Sequence, residues 1–105
     1  MAIKELLKEE LGHSLRMERD YQRELRKLPR GCVVKKKVRS RVYFYIAFRD
    51  KARVRFIYRG RSMSEDDLAK YAKAKRRRAQ YRGLLSDVRK QIKFLRKALR
   101  AKQAV

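Results

Sequence analysis

Between Cys32 and Arg59 the chain alternates apolar and polar residues with a period of two, the signature of strands that turn one face inward and one outward. With the polar breaks at 39–41 and 50–52 set aside, the even positions are Cys32, Val34, Lys36, Val38, Val42, Phe44, Ile46, Phe48, Val54, Phe56 and Tyr58, with Lys36 the one charge. The odd positions are Val33, Lys35, Lys37, Tyr43, Tyr45, Ala47, Arg49, Arg53, Arg55, Ile57 and Arg59, a basic face with tyrosines set in it. Two polar breaks divide the stretch into three strands of an antiparallel meander, closed by Gly60. Keeping all even residues on one face requires Val38 opposite Val42 and Phe48 opposite Val54. The expected loops are therefore three residues long, Arg39-Ser40-Arg41 and Asp50-Lys51-Ala52.

The flanking segments repeat at three- and four-residue steps instead. Ile3, Leu7, Leu11, Tyr21, Leu25 and Leu28 mark a helix over 3–28, interrupted at Ser14 and Glu18 and weakened at Gly12. "LPRG" at Leu28 to Gly31 stops it, since the residue before a proline avoids helical geometry and glycine frees the turn. Ser64 is a good N-cap, and Glu65, Asp66 and Asp67 suit the positive end of a second helix. From there a heptad seam runs through Tyr71, Ala74, Arg78, Tyr81, Leu85, Val88, Ile92, Leu95 and Leu99, broken by Arg78. Within 64–101 a helix of about 35 residues would be roughly 50 Å long, more than the sheet can cover. The expected fold is α+β in a single domain, 1–105: a helix in 1–28, a three-stranded sheet in 32–60, and a long basic helix. The first helix returns along the last as an antiparallel coiled coil. A second copy pairing through the C-terminal helix would bury any seam left open, which makes a homodimer part of the expectation.

Charge changes what the outer face means. The chain has 105 residues, 44% hydrophobic, with 33 Lys plus Arg against 11 Asp plus Glu, a net +22. Residues 1–24 carry a net −1, residues 25–63 a net +13 and residues 64–105 a net +10. Self-repulsion of that size calls for a polyanionic partner, and arginine forks beside tyrosines suit nucleic acid better than a lipid surface. The candidate binding residues on the strands and their loops are Lys35, Lys37, Arg39, Arg41, Tyr43, Tyr45, Arg49, Arg53, Arg55, Arg59 and Arg61. Lys70, Lys73, Arg76 and Arg77 on the second helix form a ridge that tracks phosphates. Tyrosines serve unstacked bases, which favours RNA or single strands over duplex DNA.

Other chemistry finds little footing. One cysteine makes no intramolecular disulfide, and one histidine supplies no tetrahedral zinc set. The acids lie at a helix start or along the first helix, with no nucleophile–base pairing and no phosphate-cradling glycine loop, so no enzyme, metal or cofactor is expected. "MAIKELLKEELGH" reads as neither signal peptide nor membrane span, and the expected location is the cytoplasm of a bacterium or phage-infected cell.

"LPRGCVVKKKVRSRVYFYIAF" with "KARVRFIYRG" resembles a family of small uncharacterised bacterial and phage proteins. Their core reads Leu-Pro-x-Gly-Ser, a basic strand, a Tyr-rich strand, a strand ending Tyr-x-Gly, and a long charged helix. The likeness covers residues 28–100 and departs at Cys32, where serine is usual, and in the second hairpin, which lacks the common glycine. More loosely, three strands and a helix resemble the arm-type DNA-binding domain of phage integrases, which implies a sheet face as the reader. The expectation is a nucleic-acid-binding protein of phage or mobile-element type, occupying the guide RNA or nucleic-acid channel of a host system in an anti-CRISPR-like role. The alternative is a non-catalytic module docking on an acidic protein or nucleoprotein complex.

Overall fold

Pro29 and the glycines at 31 and 60 punctuate the chain where turns are needed, and five elements form between and beyond them. In the computed structural model, which describes residues 2–103, these are α1 (Ile3–Lys27), β1 (Cys32–Val38), β2 (Arg41–Asp50), β3 (Arg53–Gly60) and α2 (Glu65–Gln103). The chain gathers into two compact units, one made of Met1–Lys27 and Ala79–Val105, the other of Leu28–Arg78.

In the first unit α1 and the later turns of α2 pack together as an antiparallel pair. The direction follows from two contacts. Glu18 meets Arg89 at 3.1 Å, while Tyr21, further along α1, meets Tyr81, earlier on α2, with ring centroids 6.1 Å apart. Leu85, Val88, Ile92, Leu95 and Leu99 are buried, as their four-and-three spacing demands. On α1 the seam runs through Leu7, Leu11, Ser14, Glu18, Tyr21 and Leu25, so Ser14 and Glu18 occupy seam positions rather than interrupting them. Ser14 is fully buried, and its Oγ has no hydrogen-bond partner among the described residues.

In the second unit the three strands pair antiparallel in the order β1-β2-β3. Their register corrects the expectation drawn from parity. Val38 faces Arg41 and Asp50 faces Arg53, so both loops have two residues, Arg39-Ser40 and Lys51-Ala52. Each opens on a left-handed residue, Arg39 and Lys51, both at φ 58°. Positive φ at the first loop position matches the twist of paired strands, which is why short hairpins win over longer loops. A one-residue change in loop length flips a whole strand. β2 therefore keeps its predicted faces while β1 and β3 exchange theirs.

The inward face centres on Ile46, 3% exposed, between Val33 on β1 and Ile57 on β3. The first turns of α2 meet this face: Ile46, Phe48, Ile57 and Tyr71 line one cleft, and Val33, Leu68 and Ala72 line another. Ser64 caps α2 as expected, its Oγ accepting the Asp67 N–H at 3.1 Å. Arg78, the charge in the seam, donates to the Pro29 carbonyl at 2.7 Å and so satisfies the turn after α1. An exposed phase of the same helix carries Phe94, which is 67% exposed.

Gly31 and Gly83 make opposite demands. At Gly31 φ is +92°, and a Cβ would sit 2.6 Å from the Ala47 carbonyl oxygen and 2.9 Å from Ile46 Cγ2. Around Gly83, inside α2, a Cβ meets nothing within 4 Å. Gly31→Ala is expected to destabilise the fold by about 2 kcal/mol or more. Gly83→Ala should stabilise it by about 0.5–1 kcal/mol. Denaturant melts of both variants check the pair, and a loss of stability at position 83 would contradict the open, helical environment found there.

Candidate functional site

The register leaves one sheet face uncovered, and it is an aromatic face. Following the pairing from Tyr45, this face carries Val34, Lys36 and Val38 on β1, Arg41, Tyr43, Tyr45, Ala47 and Arg49 on β2, and Val54, Phe56 and Tyr58 on β3. Val54, Phe56 and Tyr58 are 53%, 48% and 54% exposed, although the alternation of the sequence places all three inside. Tyr45 lies edge-on to Phe56 with centroids 6.4 Å apart and stands 5.4 Å from Tyr58, which in turn is 6.3 Å from Tyr43. Four rings from two strands thus form one continuous surface.

Lys36 sits on that surface. Its Nζ is 4.3 Å from the Phe56 centroid and 4.9 Å from that of Tyr45, reaching across β2 from the edge strand. Such cation–π contact holds the ammonium against the negative faces of the rings while its donors stay free for an anion. The face has no carboxylate; its charges are Lys36, Arg41 and Arg49.

The residues selected from sequence divide between surfaces. Arg41, Tyr43, Tyr45 and Arg49 lie on the aromatic face. Lys35, Lys37, Arg53, Arg55 and Arg59 lie on the opposite face, with Ile46, a correction that follows from the two-residue turns. Three of these five are engaged there: Arg55 pairs with Asp50 at 2.9 Å, Arg59 with Asp67 at 3.7 Å, and Lys35 lies over the Phe44 ring at 5.7 Å. Arg39 is exposed at the first hairpin tip and Arg61 just beyond β3. Lys70, Lys73, Arg76 and Arg77 are exposed on α2, as its period predicts.

Lys36, Phe56 and Tyr58 belong to the site and were placed in the core by the alternation. The sign that could have found them lies in the runs Cys32-Val33-Val34 and Phe56-Ile57-Tyr58. Both are apolar at either parity and so leave the facing of β1 and β3 undetermined. Among the described residues no group of three or more His, Cys, Asp or Glu could hold a metal ion, and no helix is long and apolar enough to cross a membrane.

Mild nitration should modify Tyr58 first, because it is the one exposed tyrosine among the six, the other five being half-buried. Peptide mass mapping reads the order. Protection of Tyr58 relative to Tyr71, which lies against the inner face, would mean that β3 faces the other way. Comparison with protein-family models, with characterised proteins and with solved structures finds no match to this chain, so its function is argued from its own residues.

Proposed function

We propose that this protein binds nucleic acid through the aromatic sheet face, taking unpaired bases of RNA or single-stranded DNA on its rings and backbone phosphates on its cations. The observation that carries the proposal is the ring cluster of half-buried Tyr43 and Tyr45 with exposed Phe56 and Tyr58, with Lys36 laid over Tyr45 and Phe56 and no carboxylate on that face. A soluble sheet does not ordinarily leave such rings in water without an occupant. Bases offer each ring a flat partner, and the net charge of +22 attracts the strand that bears them.

Duplex is the poorer fit for this face. Reading a groove calls for side chains that hydrogen-bond base edges, and paired bases present no free faces to stack on. Four neighbouring rings, two of them under the Lys36 ammonium, offer the opposite chemistry. Arg41 and Arg49, at the two ends of β2, suit the phosphates to either side of a stacked base. The exposed ridge of Lys70, Lys73, Arg76 and Arg77 supplies further phosphate contacts without reading sequence.

Binding to single-stranded RNA, single-stranded DNA and duplex of equal length, titrated with salt, tests the reading. Affinity should fall with a log–log slope of several units, and single strands should bind more tightly at matched salt. Tyr45→Ala with Phe56→Ala should weaken single-strand binding by about 1–3 kcal/mol per stacked base with little change for duplex. Circular dichroism of the double variant should match the parent. Absent or salt-indifferent binding would sink the nucleic-acid reading, and equal loss on single strand and duplex would remove the rings from it.

A further inference from the structure

A second cationic feature lies in the helical unit, apart from every candidate binding residue named above. Arg89, Lys93, Arg96 and Arg100 follow one another on α2 at steps of four, three and four residues, which keeps them on one stripe of the helix. They line a cleft of about 320 Å³ together with Glu18 of α1 and with Ile92, buried at the seam, as its apolar base. The stripe runs beside the seam, where coiled-coil partners ordinarily answer each charge with its opposite. Here α1 supplies the single carboxylate of Glu18, and that carboxylate is taken by Arg89 at 3.1 Å. Lys93, Arg96 and Arg100 are exposed and make no ion pair among the described residues.

Unanswered like charges in a row are costly for the helix that bears them, since neighbours at three and four residues repel. The row is therefore better explained by what it binds than by what it adds to folding. We infer that Lys93, Arg96 and Arg100, steadied at one end by the Arg89–Glu18 pair, form a groove for a phosphodiester backbone. From residue 89 to residue 100 the row extends about 16 Å along the helix, with neighbouring side chains roughly 5–6 Å apart at their bases. That is a line of donors suited to successive phosphates, and two of the three free members are arginines, whose planar forks accept phosphate oxygens in pairs. The groove offers no ring and no base-reading side chain, so it takes single strand and duplex alike. This inference rests on the nucleic-acid reading but assigns a different surface and a different selectivity.

The test compares Arg96→Gln with Arg100→Gln against a control of equal charge loss, Lys90→Gln with Lys97→Gln, two exposed positions of α2 outside the cleft. All changes are at exposed positions and leave Arg89 and Glu18 in place, and helicity by circular dichroism confirms that each variant folds. The Arg96/Arg100 variant should lose about tenfold in affinity for a 20-nucleotide single strand and for a 20-base-pair duplex at 150 mM salt. Its salt slope should fall by about 1.4 on the single strand and about 1.8 on the duplex, and the control by less than half as much. Equal losses in the two variants would overturn the groove in favour of diffuse charge, and so would an Arg96/Arg100 variant that binds like the parent. Either result leaves the aromatic face standing, because that face is read by the Tyr45/Phe56 variant. A parent chain that binds no nucleic acid overturns both.

Discussion

The length of two hairpin loops decides which side chains share each face of the sheet. With two residues in each turn, Val33, Ile46 and Ile57 align on the face that meets α2, and Tyr43, Tyr45, Phe56 and Tyr58 align on the other. One residue more in each loop would carry Phe56 and Tyr58 inward and bring Arg53, Arg55 and Arg59 beside the tyrosines. The same strands would then offer a plate of guanidinium groups instead of a surface of rings. Chemistry at the sheet is thus a consequence of turn geometry before it is a consequence of composition.

The two units handle the excess charge differently. In the sheet, cations on the covered side are partly neutralised by Asp50 and Asp67 or laid over Phe44, while Lys36 on the open side is held by rings alone. In the helical pair, α1 brings acids to a basic partner, yet its supply along the Arg89 to Arg100 stripe ends at Glu18. The hydrophobic seam is continuous enough to hold the helices together without those pairs. Surface ion pairs of this kind contribute little to stability in any case, so their absence costs the fold less than it gains in potential for an anion.

How much of this could be read in advance depended on the length over which each pattern repeats. The α2 seam recurs through Leu85, Val88, Ile92, Leu95 and Leu99, and the Ser64 cap and the Pro29–Gly31 turn rest on local chemistry, so all of these were legible. β2 was legible too, because Tyr43 to Arg49 alternates strictly. β1 and β3 were not, since Val33 and Val34, and Phe56 and Ile57, fit either face, and neither hairpin has the Gly or Asn that announces a left-handed turn. The tyrosines of β2 were placed correctly, and three arginines of β3 were placed on the wrong side for the same reason. Lys36 was the available clue, a charge out of keeping with a core. Ser14 and Glu18 were legible as polar residues and not as seam residues, because helix contact tolerates a small or a paired side chain at a position that periodicity reserves for leucine.

Arg39 and Lys51, at φ 58° on the tips of the two hairpins, place cations where glycine would be the less strained choice. A side chain in that conformation costs on the order of 1 kcal/mol at each tip. The sheet therefore gives up stability at both of its ends to keep positive charge at the rim of an aromatic surface. Directed selection for a more heat-resistant form would be expected to exchange these two residues first, and the resulting protein would be sturdier and less positively charged at the edge of its rings.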